Sequence, residues 1–201
     1  MRKSPEDTEI SKQRIIEAAE QEFLRCGYVS AKIENIAKRT RMTKGAIFWH
    51  YKTKLQLFKV VLLRSIERLR KIIKEIFATD EPVVGQLKDM IMRVQKERSF
   101  EIMLQLGKLG NDRKVSKSVL NEIQGATTAI FSEILEKIDG AKKNGELKKE
   151  VNTMDMMLTM AIFMSGFTQT DTMRDLLMIK NGINFDSATN ILFKGFDYYQ
   201  R

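Results

Sequence analysis

Apolar side chains return every three or four positions through residues 57–77, and this spacing limits what the chain can fold into. It is the period of an α-helix with one buried face. The apolar positions of this stretch are Leu57, Val60, Val61, Leu63, Ile66, Leu69, Ile72, Ile73 and Ile76. Similar runs fill most of the 201 residues, strand-like alternation is absent, and there are only two prolines. The pattern therefore predicts an all-α protein.

Residues that start or stop helices set the expected boundaries. Gly27 should end the first helix as its C′ residue, and Gln56 stands three residues after Thr53, the spacing of a capping box. The candidate N-caps of later helices are Thr43, Thr53, Thr153 and Asp186. The predicted helices cover about 9–26, 32–39, 43–51, 54–77, 81–98, 100–107, 116–143, 154–169 and 186–199.

Two short helices joined by a tight turn are expected between residues 32 and 51. An apolar stripe marks the first of them, at Ile33, Ile36 and Ala37. A three-residue connection leads directly to the second. This is the helix-turn-helix layout, in which the second helix enters the major groove of DNA. The sequence thus predicts an N-terminal three-helix DNA-binding domain over 9–56, followed by a second, C-terminal helical domain over 57–201.

The second short helix is expected to carry its bulkiest side chains outward. Ile47 and Tyr51 share the inner face, which leaves Lys44, Gly45, Ala46, Phe48, Trp49 and His50 directed partly outward. Between residues 32 and 54, seven Lys or Arg residues stand against one acid, Glu34, giving a local formal charge of +6 in a chain of formal charge +9. Cations and flat aromatic rings suit DNA. A solvated charged face, or an aromatic patch that binds a protein, is the alternative.

The composition argues against an enzyme and against a metal site. His50 is the only histidine and Cys26 the only cysteine, so a structural zinc site cannot be assembled and a His-based triad would need a residue of the DNA-facing helix. No glycine-rich phosphate loop is present, and no cofactor is expected. With no possible internal disulfide and no run of 18 apolar residues, we expect a cytoplasmic protein without a membrane span. Cys26 is expected to be a small buried residue, with a redox sensor as the alternative.

The last two predicted helices carry small and apolar residues that suit close helix pairing. One interpretation is a homodimer interface of four helices, two from each subunit, and the other is an ordinary core. The candidate interface residues are Leu158, Ala161, Ile162, Ser165, Ile191, Leu192, Gly195, Phe196 and Tyr199.

Ten of the twelve methionines follow residue 80. Methionine is flexible and polarizable, so it suits an adaptable apolar pocket, although a loosely composed core gives the same pattern. By periodicity alone, the side chains expected to face a small hydrophobic effector are Met90, Met103, Leu106, Phe131 and Met160.

Four segments within residues 11–60 resemble one family closely. They are Ile15-Ile-Glu-Ala-Ala, Phe23-Leu-Arg-Cys-Gly-Tyr28, Ile36-Ala-Lys-Arg and Thr43-Lys-Gly-Ala-Ile-Phe-Trp-His-Tyr-Lys-Thr-Lys-Leu-Gln-Leu-Phe58. Together they resemble the DNA-binding domain of the TetR family of bacterial transcriptional regulators, and the stretch Gly-Ala-Ile-Phe-Trp-His is closest to its repressors of multidrug efflux pumps. The resemblance implies a homodimeric repressor that binds a palindromic operator in double-stranded DNA and is released by a small effector. It also implies that the C-terminal domain over 57–201 is a ligand-binding and dimerisation domain. An effector-independent DNA-binding protein of the same fold, with an architectural or partner-regulated role, is the alternative.

The resemblance also implies roles for single residues. Lys44 and Gly45 would contact bases or backbone where the recognition helix begins, and Phe48 would lie in the groove. The residues implied to bind phosphates are Thr43, Trp49, His50 and Lys54.

Two departures from the family pattern concern the second helix. Ala31 and Lys32 stand where the family often has Thr or Ser, so Ser30 becomes the candidate cap and Lys32 would keep a phosphate contact through its charge. Arg41 replaces the glycine of the turn. If that position needs a positive φ, arginine costs about 1 kcal/mol relative to glycine, which an added phosphate contact would offset.

Overall fold

The computed structural model describes residues 5–104, 117–167 and 184–200, and these ranges form nine helices and no sheet. The all-α prediction is confirmed. The helices are α1 (Pro5–Ser30), α2 (Ile33–Thr40), α3 (Lys44–His50), α4 (Lys54–Phe77), α5 (Val83–Lys96), α6 (Arg98–Leu104), α7 (Lys117–Asn144), α8 (Thr153–Phe167) and α9 (Phe185–Asp197). Among the described helices, none combines the length and apolar character needed to cross a bilayer.

The chain divides into two compact units, one within Met1–Arg68 and Arg98–Ala126 and the other within Leu69–Glu97 and Thr127–Arg201. Two long helices, α4 and α7, contribute residues to both units. The domain boundary expected near residue 56 stays a prediction.

The first unit has an aromatic centre that joins α1 to the start of α4. Phe23 and Phe58 are fully buried, and their ring centroids lie 4.9 Å apart in a T-shaped arrangement. Ile36 of α2 and Ile47 of α3 are also fully buried. Such short helices are marginal alone, so these apolar contacts hold α2 and α3 in place.

In the second unit α5 packs against α9, with Leu87 and Phe193 in its core. The carboxylate of Glu146 accepts the Val83 N–H at 2.9 Å, which satisfies a first-turn donor of α5. The Lys148 N–H donates to the carbonyl of Tyr199 at 3.0 Å. The end of the described chain is thereby tied to the segment between α7 and α8.

Two of the predicted caps are confirmed, both in the first unit. The Thr43 hydroxyl accepts the Ala46 N–H at 3.1 Å, and the Thr53 hydroxyl accepts the Gln56 N–H at 3.0 Å. The capping box at α4 is only half formed, because the Gln56 side chain accepts the Lys52 N–H and not that of Thr53.

The predicted caps of α8 and α9 are wrong. Asn152 and not Thr153 caps α8, since its side-chain oxygen accepts the N–H groups two and three residues later at 3.0 and 3.2 Å. Asn184 and not Asp186 caps α9, by accepting the Ser187 N–H at 2.9 Å. In both cases a second competent polar residue lies just upstream, and the polar pattern alone did not choose between them.

Among the described residues, three have a positive φ where the chain leaves a helix: Gly27, Arg41 and Gly145. Gly27 has φ 74° and interrupts the helical geometry within α1, as expected of a residue that stops a helix. Arg41, the C-cap of α2, has φ 55° and ψ 35°, and its N–H bonds the carbonyls of Ala37 and Lys38. The turn therefore does require the conformation that glycine adopts most readily.

Arg41→Gly should raise the free energy of unfolding by up to about 1 kcal/mol. The left-handed conformation costs a non-glycine residue roughly 1–2 kcal/mol, while the extra freedom of glycine when unfolded costs about 0.5–1 kcal/mol. Urea unfolding measures the difference. Arg39→Gly, two residues earlier and inside α2, is the matched control and should lower stability by about 1 kcal/mol. A loss of stability in Arg41→Gly would contradict this account of the turn.

Candidate nucleic-acid interface

One face of α3, the second short helix, is buried in the first unit, and the opposite face is exposed to solvent. Ile47 is fully buried and Tyr51, its C-cap, is 7% exposed, whereas the Trp49 side chain is 64% exposed. The Trp49 ring lies 4.7 Å from the ring of half-buried His50, and an exposed cluster of aromatic side chains indicates a binding surface more than a single exposed ring does.

The residues predicted to bind DNA lie along one stretch of the first unit, from the N-terminus of α2 to the start of α4. Those with exposed side chains or backbone are Lys32, Arg41, Thr43, Lys44, Gly45 and Trp49, and those that are half-buried are Ala46, Phe48, His50 and Lys54. None of the ten is buried. They are all available to a ligand that covers this surface.

Lys44 is already oriented on the outer face of α3. Its ammonium group lies 2.5 Å from the Glu34 carboxylate and 5.8 Å from the centre of the Phe48 ring. The hydrogen bond from Lys44 holds the pKa of Glu34 below its usual range. Glu34 is the one acid of the basic stretch, so this exposed pair keeps Lys44 beside Phe48, and an incoming phosphate or base edge would compete with a carboxylate in water for that lysine.

Lys54 joins the start of α4 to the end of α1. Its ammonium group donates to the carbonyl oxygens of Val29 and Ala31 at 3.0 and 3.1 Å and lies 4.7 Å from the centre of the Tyr28 ring. A cation at the C-terminal end of a helix is favourably placed with respect to the helix dipole. Lys54 thus has a structural role in addition to the phosphate contact that its position predicts.

Glu22 lies beneath this surface and was not among the predicted residues. It is fully buried, and its carboxylate accepts hydrogen bonds from Arg25 at 2.8 Å and from the Asn35 side chain at 2.7 Å. Burial acts to raise the pKa of Glu22, but the hydrogen bonds from Arg25, Asn35 and the Lys32 N–H outweigh it and lower the pKa to about 2. A signal existed in the sequence, because Glu22 falls on the same helical face as Ile15 and the other apolar residues of α1.

Cys26 is half-buried beside Glu22, and its thiol donates to the Glu22 carbonyl at 3.2 Å. Burial and the neighbouring carboxylate raise the pKa of the Cys26 thiol. A thiol with a raised pKa is a poor nucleophile and is oxidised slowly. This environment favours the interpretation of Cys26 as a packing residue over that of a redox sensor.

An apolar stripe is exposed along α8 of the second unit. Met154, Leu158 and Ile162 follow one another at intervals of four residues and are 47%, 46% and 69% exposed, and Ile191 of α9 is 69% exposed. Of the other predicted interface residues, Ala161, Ser165 and Leu192 are half-buried, and Gly195 and Tyr199 are exposed. Phe196 is the exception, since it is buried against Phe193.

The effector-facing residues stay a prediction. Met90 and Met160 are buried in the second unit, Phe131 is 36% exposed, and Met103 belongs to the first unit. Leu106 lies outside the described residues. An open groove of about 490 Å³ in the second unit is lined by a different set: Val84, Gly85, Lys88, Asn190, Phe193, Lys194 and Gln200.

Comparison with known proteins gives one family match. The family described as bacterial regulatory proteins, tetR family, matches residues 15–61. That range contains α2, α3, the turn between them and all ten residues predicted to bind DNA.

Individual relatives are regulators as well. The transcriptional regulator SrpR of Pseudomonas putida is 29% identical over 109 residues, which cover 53% of this chain and 51% of SrpR. The chain thus aligns with about half the length of SrpR. The transcriptional repressor BepR of Brucella suis is 23% identical over 176 residues, covering 83% of each protein.

The fold is also similar to solved structures. A transcriptional regulator from Saccharomonospora viridis, crystallised in complex with choline, has a TM-score of 0.78 to this chain at 16% identity. The alignment covers 96% of this chain and 100% of that one. At this identity the similarity concerns the fold alone, an N-terminal helix-turn-helix unit followed by further helices.

Proposed function

Because the chain belongs to the TetR family of DNA-binding transcriptional regulators, we propose that it is a homodimeric repressor that binds a palindromic operator through α3. We propose further that a small hydrophobic effector releases it, and that an efflux pump is among the genes it controls. The single observation that supports DNA binding most strongly is α3 itself, whose exposed face carries Lys44, Phe48 and Trp49 within a stretch of local charge +6.

The charge and shape of each side chain on this surface indicate whether it would bind a phosphate or a base. Lysines, arginines and hydroxyls bind phosphates, which position a protein on the duplex without reading its sequence. Base edges are read in the major groove, where a lysine bonds guanine acceptors and an apolar side chain contacts a thymine methyl group. Lys44 and Phe48 lie side by side on α3 and are therefore the proposed base readers.

Lys44→Ala and Phe48→Ala should each weaken operator binding and reduce the preference for operator over unrelated DNA. A base contact of this kind contributes about 1–3 kcal/mol, so the expected loss for each half-site is roughly 5- to 150-fold. Fluorescence anisotropy with operator and scrambled duplexes measures both quantities, and circular dichroism checks helix content. Lys149→Ala, an exposed lysine between α7 and α8, is the matched control and should bind as the parent protein does. Unchanged operator preference in both variants, with helix content intact, would mean that α3 is not the recognition helix.

The exposed stripe on α8 supports the proposed dimer. Water-exposed apolar side chains spaced by four residues form a continuous ridge on a helix, and pairing two such ridges across a two-fold axis would bury them. A palindromic operator requires two recognition helices related by the same axis. The proposed interface is therefore α8 with the exposed side of α9, including Ile162, Ile191 and Gly195.

The second unit is the proposed site of the effector. Met90 and Met160 provide adaptable apolar surface in the second unit, and α4 contributes to both units, so it offers a covalent route from one to the other. The Saccharomonospora viridis protein of similar fold was crystallised with choline, which is precedent for a small molecule in such a fold. An effector can release DNA only if it binds the DNA-free conformation more tightly than the DNA-bound one.

A panel of hydrophobic drugs and dyes tests the effector. At least one should bind at micromolar concentration, measured by calorimetry, and lower the affinity for operator DNA in the same buffer. If none of the panel binds, the effector proposal fails and the effector-independent regulator of the same fold replaces it. The efflux proposal has its own test, because operator fragments upstream of efflux genes in the same genome should bind more tightly than random fragments.

A further inference from the structure

The first of the two helix-turn-helix helices has no cap of its own. Its N-cap residue is Lys32 and not the expected Ser30, and the Lys32 side chain makes no cap hydrogen bond. A helix N-terminus leaves backbone N–H groups without helical partners, and a Ser, Thr, Asp or Asn at the N-cap normally accepts from one of them. The side chains of Ala31 and Lys32 carry no acceptor, so this end of α2 relies on water or on an acceptor from another element.

Glu22 of α1 provides that acceptor. One of its carboxylate oxygens accepts the Asn35 side-chain amide at 2.7 Å and faces the Lys32 backbone N–H at 3.5 Å, a weak contact at the limit of a hydrogen bond. Arg25, three residues along α1, bonds both carboxylate oxygens at 2.8 and 3.2 Å and holds the group in place. The negative charge thus lies at the positive end of the α2 dipole.

Arg14 makes the complementary contact at the other end of α2. Its guanidinium donates to the carbonyl of Thr40, the last residue of α2, at 2.9 Å. A cation is favourable at the C-terminus of a helix, where carbonyl groups lack helical partners. The next residue is Arg41, whose left-handed conformation begins the turn to α3.

We infer that Glu22 and Arg14 are positioning residues for DNA recognition, which clamp both ends of α2 onto α1 and so set the position of the turn and of α3. The inference rests on the proposed DNA-binding function. α2 has only eight residues, too few to be stable alone. The turn that follows it is tied back to α2 by the Met42 N–H, which donates to Ala37 O at 3.0 Å. A shift of α2 would therefore be passed on to α3.

Glu22→Gln tests this positioning role, which we call the clamp. A role through charge alone and the clamp predict changes of opposite sign in operator affinity. If Glu22 acted only through its charge, removing a negative group near the DNA surface would strengthen DNA binding. The clamp predicts the reverse, namely operator binding weaker by roughly threefold or more, because a smaller fraction of molecules holds α3 in the competent position. Amide hydrogen exchange within α2 should become roughly 5- to 30-fold faster, the range expected for loss of one helix cap.

A second-site variant separates capping from packing. Lys32→Ser restores an acceptor at the N-cap, so Glu22→Gln should change the α2 exchange rates much less in a Lys32→Ser background than in the parent. If Glu22 only fills space in the core, the substitution should have the same effect in both backgrounds. Equal effects would overturn the clamp.

Arg14→Met provides an independent variant at an exposed position, which keeps the test valid even if Glu22→Gln does not fold. It should also weaken operator binding and speed exchange in the last turn of α2. Parent-like exchange in both Glu22→Gln and Arg14→Met would overturn the inference. If the parent protein itself bound no operator, the proposed function would fail, whereas the exchange measurements would still decide the clamp.

Discussion

Operator affinity is expected to fall roughly 10³-fold when the salt concentration rises from about 50 to about 200 mM. The basis is the stretch between residues 32 and 54, which carries seven cationic residues against one acid. Each phosphate neutralised by a cation releases condensed counterions, and about six such contacts per complex give a loss of this size. Titrations of a labelled operator duplex at four or five salt concentrations give the slope of log K against log salt directly.

A pair of variants tests which charges are responsible for the salt dependence of operator affinity. Lys32→Gln should lower the salt slope by roughly 0.9 for each phosphate contact that is lost. Lys149→Gln removes the same charge from an exposed position of the second unit and should leave the slope unchanged. A flat salt response of the parent protein would exclude phosphate contacts as the main source of affinity, and equal slopes for the two variants would place the contacts elsewhere.

Gly195→Glu is expected to convert the proposed dimer into monomers and to weaken operator binding. A Cβ at Gly195 would meet nothing within 4 Å, so the monomer has room for the larger side chain. Glutamate also favours helix more than glycine does by roughly 0.5–1 kcal/mol, so the fold of the monomer should not suffer. An unpaired carboxylate buried in an apolar interface costs several kcal/mol, which is enough to separate subunits at micromolar concentration.

Gly140→Glu is the matched control for this substitution. Gly140 is an exposed helical glycine of the same unit, a Cβ there would also meet nothing within 4 Å, and it is not part of the proposed interface. Sedimentation velocity should report a dimer for the parent and for Gly140→Glu, and a monomer for Gly195→Glu. If all three proteins are dimers, Gly195 of α9 does not lie in the dimer interface.

The sequence predicts the helices of this fold well because each of them has a buried face. The period of the apolar residues marks α1 and α4 in their central turns. The tight turn between α2 and α3 is predicted at 40–42 and lies at 41–43, one residue later. Caps are less predictable, because neighbouring polar residues compete for the same N–H groups. Thr43 has no such rival immediately before it and was predicted correctly, whereas Asn152 precedes Thr153 and takes its place.

Features that depend on contacts between distant residues could not be derived from local patterns. Arg41 was identified as a departure from the family, but its positive φ is visible only in the fold. Glu22 breaks an apolar stripe, which marks it as unusual, yet its partner Asn35 lies thirteen residues away on another helix. Phe196 shares α9 with exposed residues, and only its burial in the fold, at 8% exposed, shows that it faces inward.

Selection of binding sites from a random duplex library tests the central claim most directly. The parent protein is incubated with the library at moderate salt, bound DNA is sequenced over several rounds, and Lys44→Ala and Phe48→Ala are treated in parallel. The account predicts enrichment of an inverted repeat by the parent protein, and weaker or altered enrichment in each half-site by the two variants. Enrichment of no sequence by the parent, or of the same sequence by all three proteins, would contradict recognition of an operator through α3.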